Sequence, residues 1–359
     1  MMSSAEPLVS FVILSYNYEG HIRRTLRSVF DQTFTDFEVV IVDDASSDGS
    51  LESIRSFHDR RIRLIVNPTN LGGSASFNLG VEAARGTWIV NLDADDWIAP
   101  EKVAKQLAAA ERDHSLSVIG TWVNVVDESG QPHPLAGEVE SHLNQAHHLN
   151  SVRTWVGQNP LCRSSTMVRR SLYREIGGSD PAMVRAPDYE LWTRALSRGY
   201  RFDLLPEALT YYRLHPRGVT HGNRVDATLE LAYATIRNLA PLAEARALHE
   251  DWASMLNWLA RRTVDGALGP PETLRIRGMA VLLPVLSDYT DFKAILASPD
   301  ALIERAGSYT LATALRSTNE DVEKLLSDID AYLEARDFWH AQAAAWEAQY
   351  RQLAGLEPE

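Results

Sequence analysis

The chain has 359 residues, 45% of them hydrophobic and 23% charged, which supplies a packed core and excludes wholesale disorder. Its 35 Lys and Arg stand against 48 Asp and Glu, and the resulting net charge of -13 argues against a nucleic-acid partner, which needs a basic stripe. A single cysteine, Cys162, excludes an internal disulfide and any cysteine-clustered zinc site. No apolar run approaches the roughly 18 residues of a transmembrane segment, and the polar start, Met1 to Pro7, lacks a signal-peptide layout.

Phe11 to Leu14 is a short continuous apolar run, the pattern of a buried parallel strand. His21 to Phe30 follows as a helix, with Ile22, Leu26 and Val29 at helical spacing. Phe37 to Val42 is a second strand, and Ser50 to Phe57 a helix carrying Leu51 and Ile54. Ile62 to Val66 is a third strand. A helix from about Ser74 to Arg85 sets Phe77, Val81 and Ala84 on one side, with Gly86 as its C-cap. Trp88 to Leu92 is a fourth strand, and Pro100 opens a helix carrying Val103 and Leu107. The alternation predicts an α/β fold with a mainly parallel sheet flanked by helices on both faces.

Residues 127–157 are rich in Gly, Pro, His, Asn and Ser and read as a long loop or loose insertion. A strand-like stretch resumes near Cys162 to Val168, where the cysteine is a small buried hydrophobe rather than a nucleophile. From about Val225 the pattern is helical. Near the end, Val322, Leu325, Ile329, Tyr332, Arg336, Trp339, Ala343, Trp346, Tyr350 and Leu353 step by three and four. That 3.5-residue period predicts a coiled-coil helix over 318–354, packed on its own domain or forming a homodimer.

Two acidic clusters follow buried strands. Asp43 and Asp44 end the second strand, where open α/β sheets bind ligands. A carboxylate there accepts from a nucleobase N–H or a ribose hydroxyl, or else closes a capped turn as Asp48 and Ser50 do. Asp93, Asp95 and Asp96 end the fourth strand and repel one another unless a cation or donors compensate. Mg²⁺ and Mn²⁺ prefer such oxygen ligands and keep diphosphate oxygens in their shell. Together the clusters suggest one pocket for a nucleoside diphosphate and a metal. Gly72-Gly73 is no dinucleotide fingerprint, and His142, His147 and His148 lack metal-ligand spacing.

The runs Ser10 to Asn17, Asp31-Gln-Thr-Phe34, Val42 to Ser46 and Leu92 to Asp96, in this order, resemble family 2 glycosyltransferases of the GT-A fold. Asn159 to Arg170, Ile176 to Gly178, Ala186 to Trp192 and Tyr211 to Pro216 resemble the acceptor half of the same family. The resemblance implies a GT-A nucleotide-diphospho-sugar transferase domain over 1–221, with a nucleotide half at 8–125 and an acceptor half at 126–221. A helical C-terminal region fills 222–359. It implies inverting, Mn²⁺- or Mg²⁺-dependent transfer from a nucleotide-diphosphate sugar, UDP- or dTDP-linked, to a hydroxyl of a glycan, lipid-linked saccharide or metabolite. The alternatives are a peptide glycosyltransferase that holds its substrate with the helical tail, and a non-catalytic sugar-nucleotide-binding or assembly subunit. The expected location is cytoplasmic, or peripheral at the inner membrane surface.

Carried over residue by residue, Ser15, Tyr16 and Asn17 line the base pocket, with Asp43 and Asp44 accepting from the nucleoside. Asp93 contacts the ribose or sugar, and Asp95 and His215 hold the metal or diphosphate. Asp188 is the catalytic base, kept ionised by a helix N-terminus, or else a simple N-cap. Asp96, Arg163 and Trp192 lie on the acceptor side. Three departures stand out: Pro187 replaces an acidic residue, Phe77 an arginine, and Arg163 a histidine.

Overall fold

Apolar runs with no polar face can be satisfied only between two helical layers, and these runs become the central strands of the computed structural model. It describes residues 6–156, 158–215, 224–239 and 242 of one unit, Met1–His249, and residues 326, 327, 329–337 and 341 of a second, Glu250–Glu359. The first unit starts with strand β1 (Val9–Ser15), helix α1 (Ile22–Phe30), β2 (Phe37–Asp43), α2 (Ser50–Arg55), β3 (Ile62–Val66), α3 (Gly73–Ala83) and β4 (Trp88–Asp93). The short β5 (Trp97–Ile98), α4 (Lys102–Arg112), the long β6 (Leu116–Val126), α5 (Ala136–Leu143) and α6 (Val152–Trp155) come next. A single 3-10 turn, Arg163–Ser165, precedes β7 (Met167–Arg169), α7 (Arg170–Ile176), α8 (Pro187–Ser197), β8 (Arg201–Arg213) and α9 (Arg224–Leu239).

Among the described residues the strands form one sheet in the order β3-β2-β1-β4-β7-β6-β8-β5. The pairs β1–β2, β1–β4, β2–β3 and β6–β8 are parallel, whereas β7 runs antiparallel to both β4 and β6, and β5 to β8. The sheet is therefore mixed. Because β7 reverses direction between β4 and β6, strands β6 and β8 point the same way as β1 to β4. All six carboxyl ends open on one edge, which is what brings residues near 43, 93 and 213 together.

Core packing follows the predicted faces. Ile22, Leu26 and Val29 of α1 lie fully buried against Phe11, Ile13, Val39 and Ile41, each such side chain contributing about 1.5–3 kcal/mol. Gly86 is not a helix cap: α3 stops at Ala83, and Gly86 lacks the positive φ that a C-cap glycine adopts. Its need for glycine is a close approach, since a Cβ there would lie 2.6 Å from the Ser10 backbone nitrogen. Gly86→Ala is expected to cost about 1–3 kcal/mol through this overpacking, read as a lower urea midpoint; an unchanged midpoint would remove the argument.

Residues 127–157 are more ordered than their composition suggests. They carry α5 and α6, and side chains from this segment complete the β6 ladder. Asn144 bonds both the N–H and C=O of Val123 at 2.8 Å, and Glu140 accepts from Val125 N–H at 2.7 Å. Polar residues that read as loop thus satisfy backbone groups that a neighbouring strand would otherwise take. The stretch before β7 is a turn, not a strand, and Cys162 at its start is partly exposed. β8 tolerates Pro206 because the β6–β8 register shifts between the Thr121↔Leu205 and Trp122↔Ala208 pairs.

The first unit runs beyond residue 221, because α9 is stitched to α8. Glu230 accepts from the backbone N–H groups of Val184, Arg185 and Ala186 at 2.7–3.1 Å, covering the open N-terminus of α8. Asn238 reaches Thr193 at 3.0 Å. In the second unit, residues 329–337 are helical, with Ile329 buried and Asp330, Glu334 and Asp337 exposed. Most of the predicted coiled-coil stripe, including Trp339, Trp346 and Tyr350, lies outside the described residues. No helix among the described residues is long and apolar enough to cross a membrane.

Candidate active site

The end of β1 and the end of β2 are tied together by their own loops. Asn17 adopts a φ of 59° and accepts from Ser47 N–H at 2.8 Å, while its own N–H donates to Ser46 at 3.0 Å. Asp43 is fully buried, and its carboxylate accepts from the N–H and hydroxyl of Ser46 at 2.9 and 2.6 Å. It closes the turn, the alternative that the sequence left open. Asn17 likewise works as a loop clamp. Tyr16 is exposed, and the Ser15 hydroxyl is buried with no hydrogen-bond partner.

Asp44 is nearly as buried but serves the next loop. Its Oδ1 accepts from Asn67 Nδ2 and Leu71 N–H, both at 2.8 Å, and its Oδ2 from Gly72 N–H at 3.0 Å. A carboxylate offers about four acceptor sites, so one on Oδ2 remains for a further donor. Asn67, which carries no motif in the sequence, sets this orientation.

The acidic stretch after β4 is clamped from three directions. Thr25 of α1 donates to the carbonyls of Ala94 and Asp96 at 2.8 and 2.7 Å. Arg213, at the end of β8, donates from its backbone N–H to Asp96 Oδ1 at 2.7 Å and from Nε to the Asp95 carbonyl at 2.9 Å. Ser164 accepts from Asp93 N–H at 3.1 Å. Two residues beyond β8, His215 Nε2 lies 3.0 Å from Asp95 Oδ2, and the buried Nδ1 of the same ring has no partner. The structure thus joins two of the predicted residues that are 120 positions apart.

Burial and mutual repulsion govern this cluster. Loss of solvation, then the neighbouring Asp95 and Asp93, pushes the Asp96 carboxyl well above the ordinary range. Asp93 is raised too, chiefly by loss of solvation, although Arg163 opposes the rise. An excess of carboxylate over cation is what a bound divalent ion relieves. Among the described residues no set of three or more His, Cys, Asp and Glu is arranged to hold a metal by protein ligands alone. Asp95 and His215 offer one oxygen and one nitrogen, a donor set that suits Mn²⁺ or Mg²⁺ completed by phosphate oxygens and water.

The run 159–166 serves both halves of the site. Asn159 donates to Asp188 Oδ2 at 2.8 Å, and Ser164 holds Asp93. Asp188 lies inside the first turn of α8, with Ala186 as N-cap, so it is not itself the cap. Its carboxyl is raised by burial first; Asn159, Arg163 and the Tyr189 N–H pull it down without cancelling that effect. The Tyr189 N–H at the helix N-terminus thus favours the ionised form, and burial opposes it. A half-buried carboxylate with a raised proton affinity is suited to accepting a proton.

Two acceptor-side assignments fail on burial. Trp192 is fully buried, its ring perpendicular to that of Phe202, so it has no exposed face to offer a sugar. Asp96 is 1% exposed and engaged by the Arg213 backbone. Arg163 stays in the cleft, its guanidinium 4.1 Å above the Phe77 ring and its Nη1 3.9 Å from Asp93. Two of the departures noted in the sequence are therefore in contact. Asn159, Ser164 and Arg213 went unassigned although each lies within a run that carried the resemblance.

Residues 10–177 match the model of the family described as glycosyl transferase family 2. The putative glycosyltransferase EpsE of Bacillus subtilis is 32% identical over 211 residues, 56% of this chain and 72% of that protein. Among solved structures, S. aureus TarS in complex with UDP-GlcNAc aligns with a TM-score of 0.61 and 20% identity, covering 91% of this chain and 92% of the other. A mannosyltransferase from Pyrobaculum calidifontis in complex with GDP-Man and Mn²⁺ aligns with a TM-score of 0.50 and 19% identity, covering 99% and 89%. These two show the fold, the GT-A-like mixed sheet flanked by helices.

Proposed function

The chain belongs to glycosyltransferase family 2, and from that premise we propose an inverting, divalent-metal-dependent transfer of a sugar from a nucleoside-diphosphate sugar to an acceptor hydroxyl of a glycan, lipid-linked saccharide or metabolite. The observation that carries the proposal is the pairing of Asp95 with His215 at 3.0 Å on the sheet edge that also holds Asp93. Asp188 stands close enough for its carboxyl to feel both Arg163 and Asp93. The ligands of the two solved relatives, UDP-GlcNAc in one and GDP-Man with Mn²⁺ in the other, support a nucleotide-sugar donor.

Each residue has a role in this reading. Asp44 accepts from the base through its remaining Oδ2 site, and Ser15 and Tyr16 border the same pocket. Asp93 takes a ribose or sugar hydroxyl. Asp95 and His215 would hold the divalent ion, which when bound neutralises charge developing on the departing diphosphate. Asp188 removes the proton of the acceptor hydroxyl as its oxygen attacks the anomeric carbon from the side opposite the leaving group. The carbon–oxygen bond to the diphosphate breaks, and the nucleoside diphosphate departs with the bonding pair. One base suffices, unlike the two carboxyl groups of glycoside hydrolysis.

A panel of nucleotide sugars, screened for metal-dependent turnover and for thermal stabilisation by mass action, tests the proposal; no response to any donor would reject it. The base is expected to be uracil or thymine, whose single ring N3–H suits the one acceptor site left on Asp44. In competition UDP or dTDP should bind more tightly than GDP or ADP. Tightest inhibition by ADP would remove the role given to Asp44.

A further inference from the structure

Arg163 sits beside Asp93 with hydrogen-bonding capacity that the reaction above does not use. Its side chain is 19% exposed, and its guanidinium makes no hydrogen bond among the described residues. A guanidinium carries five N–H donors, and leaving them idle in a largely desolvated place is costly. The group is nonetheless held in one orientation. It lies over the ring of Phe77, which is 2% exposed and packs edge-on against Tyr173 at 5.9 Å. Tyr173 in turn donates to Asn91 at 3.0 Å. Stacking on an aromatic face fixes a planar cation more firmly than a flexible ammonium.

The nearest acidic partner is Asp93, at 3.9 Å from Nη1. That separation is too long for a hydrogen bond yet fits one hydroxyl oxygen placed about 2.8 Å from each group. A hydroxyl is both donor and acceptor, so it completes the gap by donating to Asp93 and accepting from Arg163. Asp93 and Arg163 are also fixed to each other, because Ser164, the next residue after Arg163, holds the Asp93 backbone. Two groups of opposite charge, pre-set at a separation that one hydroxyl can bridge, make a selective polar contact. Sites of this kind reject analogues that lack the hydroxyl, since the largely buried guanidinium is then left without a hydrogen-bond partner.

We propose that Arg163, cradled on Phe77, is a specificity-determining residue for the transferred sugar, forming with Asp93 a two-point reader of one sugar hydroxyl. This rests on the nucleotide-sugar reading above and moves Arg163 from the acceptor to the donor. The test is calorimetric binding of UDP-sugars, of their monodeoxy analogues and of UDP alone, on the full chain without acceptor. Arg163→Gln should weaken the preferred UDP-sugar at least about tenfold while UDP binding and melting temperature stay unchanged. One monodeoxy analogue should bind the wild type as weakly, and Arg163→Gln should cost nothing further on that analogue. Phe77→Leu, which keeps the charge and removes the cradle, should produce a smaller loss of the same kind and decides the matter if Arg163→Gln fails to fold. Equal loss for UDP and UDP-sugar would make Arg163 a phosphate contact, and no loss for either would make it structural; both overturn the reader. Wild-type protein that binds no nucleotide or nucleotide sugar would instead reject the donor reading itself.

Discussion

Asp188→Asn is expected to lower sugar transfer by about 10²–10⁴-fold, the usual contribution of a positioned general base, with donor binding nearly unchanged. The substitution keeps the shape of the side chain and an oxygen for the Asn159 amide, which now donates to Asp188 at 2.8 Å. Only the proton-accepting ability is lost. Because that ability matters as the acceptor attacks, the loss belongs in kcat and in kcat/KM for the acceptor. The wild type should also show an acid limb. Burial raises the Asp188 carboxyl from its ordinary value, and the base works only when ionised. Transfer should therefore fall as pH drops through that raised value, and this limb should vanish in Asp188→Asn. Steady-state rates across pH, with donor affinity measured in parallel, decide the point. Collapse of donor binding together with turnover would show that Asp188 is structural.

Asp95→Asn should remove turnover to a similar extent, about 10²–10³-fold or more, the scale seen when one stabiliser of developing negative charge is deleted. Its amide keeps the size of the carboxylate and can still bond His215, so the fold should survive. What disappears is the charge that, with His215, would hold the cation against the diphosphate. Two readouts separate this from a general defect. Mn²⁺ should raise the melting temperature of the wild type in the presence of UDP and leave the variant unmoved, and excess chelator should silence the wild type. Full activity in chelator, or in Asp95→Asn, would sink the metal assignment.

Part of the molecule is written locally in the chain. Strand runs such as Phe37 to Asp43 are apolar without a break until the final carboxylate, save for Glu38, and α1 presents Ile22, Leu26 and Val29 on one face. Periodicity of that kind depends only on neighbours in sequence, so the elements and their inner faces are legible in the order of residues alone. The acidic groups directly after β2 and β4 were legible for the same reason, because a carboxylate at the end of a buried strand has few places to go. The run from Ser10 to Pro216 also carried the family resemblance.

The tertiary structure decided which of these groups are free to act. Asp43 and Asp44 look alike in sequence, yet Asp43 is fully buried and closes its own turn onto Ser46, while Asp44 reaches across to orient the 67–72 loop. Trp192 was expected on the acceptor side, and α8 instead buries it fully in the core. β6 and β8 pair across more than 80 residues, and no local pattern announces which strand will be the partner. That pairing carries His215 to Asp95, and the reversed strand β7 between β4 and β6 keeps both on one edge. The helix N-terminal amide that favours ionised Asp188 is opposed by desolvation, an effect summed over elements far apart in the chain. Contact between Arg163 and Phe77, two residues that departed separately from the family pattern, likewise exists only once α3 and the 159–166 segment have packed together. Short-range spacing was enough to read β1 to β4, α1 to α4, their buried faces and the acidic sheet edge from the order of residues alone. Burial, hydrogen-bond occupancy and long-range pairing were left to the tertiary structure, because each depends on atoms contributed from elsewhere in the chain.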